Sequence, residues 1–143
     1  MLELGCGPGL CSVVAGLTGA SDVIATDGDV KSVELTALNI SDNYTGVASG
    51  PKALKLYWGD LADLSVVQSS WSGSSSDRTS VDFIIASDVA GCPYVSAYTS
   101  LIDTLVALSG PETVILLACQ KRHSSENIFY DMMREKFLLD RYF

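Results

Sequence analysis

The sequence is short of residues that carry several common kinds of chemistry. It has a single histidine, His123, and no partner for acid–base work is visible beside it, so it reads as a solvated loop residue, as does its neighbour Arg122. Its four cysteines, Cys6, Cys11, Cys92 and Cys119, lie far apart, without a CxxC pair or a nearby histidine. That spacing excludes the usual zinc patterns, so no metal is expected, and leaves reduced intracellular thiols as the reading. Basic residues are few: 9 Lys and Arg stand against 17 Asp and Glu, a net charge of −8, with no basic run. A phosphate backbone as main partner is therefore not expected, because nucleic-acid binders neutralise phosphates with clustered Lys and Arg. There is no basic N-terminal region leading into an apolar run, and no uncharged apolar stretch reaches the roughly 20 residues needed to span a bilayer. These absences predict no nucleic-acid and no membrane partner, and a cytoplasmic location with the nucleus as the alternative.

What is present is an ordinary globular composition, 48% hydrophobic over 143 residues, enough for one domain with a real core spanning residues 1–143. Met1 stands two residues before Glu3, whereas a buried strand normally runs about 5 or 6 residues, so a domain incomplete upstream is part of the expectation.

Short apolar, β-rich runs alternate with stretches of helical periodicity, the signature of βαβ units and a mostly parallel α/β sheet with helices on both faces. The predicted strands are Leu2–Leu4, Asp22–Thr26, Ala53–Tyr57, Val81–Ser87 and Thr113–Cys119. Leu10, Val13, Val14 and Leu17 predict a first helix whose apolar face covers the sheet. A second is predicted over Asp29–Ser41, with Val30, Val33, Ala37 and Ile40 as its buried stripe. Tyr98, Leu101, Ile102, Leu105 and Val106 predict a third, ended by Gly110-Pro111, and Ile128, Met132, Met133 and Phe137 a fourth. From Gln68 to Ser80 the composition turns to Ser, Gly and Asp, which predicts an exposed loop over residues 69–80.

The chemistry concentrates in Leu2-Glu3-Leu4-Gly5-Cys6-Gly7-Pro8-Gly9-Leu10, where three alternate glycines separate an apolar strand from a periodic helix. Glycines are needed where the chain turns sharply and where a ligand approaches backbone N–H groups beside the positive end of a helix. The dinucleotide pattern GxGxxG would place its third glycine at Leu10, so a pyrophosphate ligand is disfavoured. Glu3, just before the loop, suits a cationic ligand. Asp27 follows the second strand 27 − 9 = 18 residues after the last glycine, close to the spacing at which a carboxylate receives ribose hydroxyls. Capping of the next helix by Asp27 and Asp29 is the alternative reading. Leu56-Tyr57-Trp58-Gly59-Asp60 ends the third strand with a ring that can pack on an adenine and a carboxylate that can accept from its exocyclic amine, while plain core packing is the alternative for Trp58.

An acidic residue followed by GxGxG resembles motif I of S-adenosylmethionine methyltransferases. LELGCGPGL, ATDGD, LTALNISDN, LYWGD and ASDVAGCPY, in this order and spacing, resemble the family 16 methyltransferases over nearly the whole chain. The resemblance implies a Rossmann-like class I methyltransferase core that uses S-adenosylmethionine and no metal to methylate lysines of non-histone proteins. It puts Gly5, Gly7 and Gly9 at the methionine moiety, Asp27 at the ribose and Trp58 near the adenine. Asp88 falls at the acidic position of the family's D-x-x-Y motif, with a role in positioning the acceptor. The aromatic position of that motif is Gly91 here, and the nearest tyrosine is Tyr94, the second catalytic candidate. Gln120-Lys121-Arg122-His123 resembles the family's stretch after the fifth strand, and the family's further strands beyond it imply incompleteness at the C-terminal end as well. Two rival readings are a methyltransferase for a small molecule or other acceptor, and a non-catalytic cofactor-binding or interaction module.

Overall fold

The computed structural model describes residues 1–45, 50–71, 80–91, 95–120 and 126–140. The strands are β1 (Leu2–Leu4), β2 (Ile24–Asp27), β3 (Lys52–Lys55), β4 (Phe83–Ser87) and β5 (Val114–Ala118). The helices are α1 (Leu10–Leu17), α2 (Val30–Asn43), α3 (Leu61–Ser69), α4 (Val95–Leu108) and α5 (Glu126–Arg134), and a single 3₁₀ turn, Val89–Gly91, follows β4. All five strands are parallel, in the order β3-β2-β1-β4-β5. The chain therefore builds outward from β1 to β3, then returns to the other side of β1. The order reverses between β1 and β4, and in open α/β sheets ligands bind at the carboxyl ends of the strands beside such a reversal.

One face of the sheet carries the core. Leu2 lies in register with Ile24 on one side, and Leu2 and Leu4 lie in register with Ile84 and Ala86 on the other. They are buried in one cluster with Val67 of α3, Tyr98, Leu101 and Leu105 of α4, and Phe129 and Met133 of α5. The opposite face bears α1 and α2, which contact β1, β2 and β3. Cover there is uneven: Phe83, Val114 and Leu116 on β4 and β5 are 47%, 46% and 48% exposed.

The predicted alternation of strands and helices, the parallel sheet and helices on both faces are what the structure shows, with strand ends displaced by up to two residues. Several faces differ from expectation. On α1 the stripe Leu10, Val14 and Leu17 is exposed, and Ser12 and Val13 are the buried positions, because Ser12 is drawn inward to pair with Glu3. On α2, Val30 is exposed and Ala37 lies on the solvent side, while Thr36 is fully buried beside Ile40. Phe129 of α5 enters the core where Ile128 was expected. Helix α3 was not expected at all; Asp60 caps it, and it buries Val67. Of the predicted loop, residues 72–79 lie outside the described residues, while Ser69 ends α3 and Trp71 packs on the core. Among the described residues, no helix is long and apolar enough to cross a membrane.

Candidate active site

The chain leaves β1 through a loop in which Gly5, Gly7 and Gly9 have φ of 66°, 50° and 80°, a left-handed backbone that side chains rarely adopt. The Cys6 amide continues the ladder to the Thr26 carbonyl at 2.9 Å, and the Gly9 amide closes a turn onto the Cys6 carbonyl at 2.8 Å. Gly9 is also the N-cap of α1 and supplies no capping side chain. The three glycines are not equivalent. A Cβ at Gly5 would stand 2.8 Å from Val89, and one at Gly9 would stand 2.6 Å from Cγ2 of Thr36. At Gly7 it would meet nothing within 4 Å, so Gly7 is the one of the three that opens on free space.

Asp27 ends β2 beside this opening. Its Oδ2 accepts from the Gly7 amide at 3.0 Å and its Oδ1 from the Asp29 amide at 2.9 Å. Each carboxylate oxygen has a further lone pair, so two acceptor sites remain for hydroxyls. Asp29 has the helix-capping role: it accepts from the amide and hydroxyl of Ser32, which hold its carboxyl below the ordinary range. Glu3 is 2% exposed, and its Oε2 accepts from the Ser12 amide at 2.9 Å and the Ser12 hydroxyl at 2.5 Å. It thus braces the first turn of α1 from behind the loop, a tie that its position before the glycines did not disclose.

Two residues of α2 reach the same loop and were not singled out by the sequence reading. Thr36 Oγ1 donates to the Gly7 carbonyl at 2.7 Å, and Asn39 Nδ2 donates to the Pro8 carbonyl at 2.8 Å. Because the Thr36 hydrogen is spent on Gly7, the Cys6 thiol, 3.4 Å away, is the donor to Thr36 Oγ1. Burial pushes that thiol up to about 11, so it stays protonated at neutral pH.

After β3, Trp58 packs partly on the core and approaches Gly5, placing its ring at the edge of the opening. Tyr57 is 64% exposed and its ring lies beside Gly28, a second aromatic surface next to Asp27. The Gly59 amide is fixed to Thr104 of α4 at 3.0 Å. Asp60 Oδ1 accepts from the amides of Ala62 and Asp63, both at 2.9 Å, so it caps α3 in addition to any ligand role. Asp88, at the end of β4, has φ 62° and donates its amide to the Ala118 carbonyl at 2.6 Å. Such a backbone is uncommon for a residue other than glycine and often marks a functional position. Val89, next in the chain, lies against Gly5, which brings the Asp88 turn to the glycine loop. Tyr94, like Cys92, Arg122 and His123, lies outside the described residues. The structure thus gathers the glycines, Asp27, Trp58 and the Asp88 turn at the carboxyl ends of adjacent strands.

The chain is similar to known proteins in both sequence and fold. The protein N-lysine methyltransferase METTL21A of Xenopus tropicalis is 32% identical over 140 residues, covering 97% of this chain and 57% of that protein. The protein-lysine methyltransferase METTL21E of Mus musculus is 34% identical over 142 residues, covering 98% of this chain and 53% of that protein. The chain therefore spans a little over half the length of these relatives. Among solved structures, a TehB-like SAM-dependent methyltransferase from Corynebacterium glutamicum superposes with a TM-score of 0.61 at 15% identity, over 94% of this chain and 62% of that one. Magnesium protoporphyrin IX methyltransferase from Synechocystis, solved with bound SAH, gives 0.60 at 16% identity, over 94% and 52%. At such identities the likeness is one of fold: a Rossmann-like methyltransferase core. A family model described as lysine methyltransferase matches residues 1–136, and the chain belongs to that family.

Proposed function

We propose that this chain binds S-adenosylmethionine at the carboxyl ends of β1 to β4 and supports methyl transfer to a lysine side chain of a protein. The observation that carries this reading is the juxtaposition of Gly7, open on its Cβ side, with Asp27, whose carboxylate is anchored to the Gly7 amide and keeps lone pairs for a diol. Family membership supplies the reaction class. The residues present fit the cofactor. Gly5 and Gly9 let the loop pack against Val89 and Thr36 and Gly7 leaves the room at the methionine end, beside the positive end of α1, with Asp27 assigned to the ribose and Trp58 and Asp60 to the adenine. Glu3 acts from behind, by holding α1 against β1. No metal is invoked.

Bound there, S-adenosylmethionine would supply an electrophilic methyl group for an in-line displacement. The protein's part is alignment at about 3 to 3.5 Å approach. A lysine amine, with an ordinary pKa near 10.4, must first lose a proton. Asp88, its backbone fixed to Ala118, is assigned to positioning that amine, with Tyr94 as a second candidate. The occurrence of Gly91 at the aromatic position of the D-x-x-Y motif favours a second reading, in which the acceptor is a small molecule. The one hydrophobic cluster found among the described residues supports reading residues 1–143 as one domain. The free thiols of Cys6, Cys11 and Cys119 suit the reducing cytoplasm proposed as its location, the nucleus being the alternative.

Calorimetric titration with S-adenosylhomocysteine tests the cofactor site. Binding is expected in the wild type and about tenfold weaker in Asp27→Ala, the scale of one lost charged hydrogen bond. Equal binding by the two proteins would remove Asp27 from the site. Methylated lysine in a protein acceptor, found by mass spectrometry, supports the first reading; transfer to metabolites alone supports the second.

A further inference from the structure

We propose that Thr36 and Asn39 of α2 are positioning residues, a two-point clamp that holds the glycine loop in its ligand-accepting path. This rests on the cofactor reading above. Thr36 and Asn39 are three residues apart and so share one face of the helix. That face meets the loop: Thr36, fully buried, donates to the Gly7 carbonyl, and Asn39 donates to the Pro8 carbonyl.

The loop needs such a clamp for a physical reason. Glycine gains as much conformational freedom when released as any residue, and three glycines lie within five positions here. Pro8 has no N–H with which to anchor itself. Gly7 is held from both sides, by Asp27 at its amide and by Thr36 at its carbonyl, and Asn39 fixes the next peptide plane. The Thr36 methyl also fills the space under Gly9, so loop and helix fit only while residue 9 lacks a side chain. The Cys6 thiol, donating to Thr36 Oγ1, leaves that oxygen satisfied as both donor and acceptor inside the core.

A loop already held in place does not have to be ordered when ligand arrives, and apparent affinity falls by the fraction of molecules in the competent state. The clamp touches the loop assigned to the methionine moiety and not the adenine end. Its loss should therefore be felt by S-adenosylhomocysteine and not by adenosine, which lacks that moiety.

The test uses Thr36→Val, which keeps shape and the methyl group but removes the hydroxyl, and Thr36→Ser, which restores the hydroxyl. The Kd for S-adenosylhomocysteine should rise about tenfold in Thr36→Val and return to within about twofold of wild type in Thr36→Ser, with adenosine binding unchanged in both. Asn39→Ala should show the same pattern at smaller size. In the ligand-free protein, hydrogen exchange of the peptide covering residues 5–10 should accelerate in Thr36→Val while that of β4 does not. Unchanged exchange in residues 5–10 overturns the clamp whatever the ligand. Equal loss of adenosine and S-adenosylhomocysteine binding reduces Thr36 to a general structural role. Faster loop exchange in a protein whose wild type binds neither compound leaves the clamp standing and sinks the cofactor reading instead.

Discussion

Gly9 has φ 80°, and a Cβ added there would come 2.6 Å from Cγ2 of Thr36, a buried side chain whose hydroxyl is already committed to Gly7. Gly9→Ala therefore combines a left-handed backbone, costing about 1–2 kcal/mol, with overpacking that costs about 1–3 kcal/mol more. Gly7→Ala meets only the first cost, because its φ of 50° lies in the left-handed well and its Cβ would point into open space. That space is the proposed place of the ligand, so Gly7→Ala should lose cofactor affinity while keeping most of its stability. Urea unfolding should rank Gly9→Ala as the less stable by roughly 1–3 kcal/mol, the overpacking term alone. The reverse ranking would mean that the loop is not seated against α2.

At the scale of elements, residues whose chemistry is required by type were legible in the sequence, and those that act through contact were not. Three glycines after a strand and an acid after the next strand have few alternative uses, so the loop and Asp27 could be placed from spacing alone. Thr36 could not, because periodicity counts apolar residues, and a threonine whose hydroxyl is satisfied can be buried fully beside Ile40. The same limit shows on α1: of the stripe Leu10, Val13, Val14 and Leu17 only Val13 is buried, because the face toward the sheet is set by the pairing of Ser12 with Glu3. Helix α3 escaped notice because its apolar residues keep no helical period, and its signal was the cap. Asp60 accepts from the amides of both Ala62 and Asp63. Asp60→Ala should cost about 1 kcal/mol in thermal or urea unfolding, and Asp60→Asn much less, since Asn caps nearly as well. If Asp60 also serves the adenine, Asp60→Ala should weaken S-adenosylhomocysteine as well; full affinity in the destabilised variant would leave it a cap and nothing more.

Across the whole molecule, position in the sheet outweighs composition. Val114-Ile115-Leu116-Leu117-Ala118 is as apolar a strand as any among the described residues, yet among those residues β5 pairs only with β4 and lies at the sheet's edge, with Val114 and Leu116 nearly half exposed. Strands β2 and β4 are paired on both sides, and Ile24, Ala25, Thr26, Ile84 and Ala86 are at most 1% exposed. Local opening is cheapest where few apolar contacts and few paired amides must be broken together. Native-state hydrogen exchange should therefore find the slowest amides in β2 and β4, with the central β1, and faster ones in β3 and β5, although β5 is the more hydrophobic of the two edges. Adding S-adenosylhomocysteine should slow exchange in the glycine loop and around Asp27 and leave β5 as it was, because the proposed site lies where β1 meets β2 and β4. Slow exchange in β5 matching that of β4 would show that the outer strand is covered in solution, and protection of β5 by the ligand would move the site away from the β1–β4 reversal.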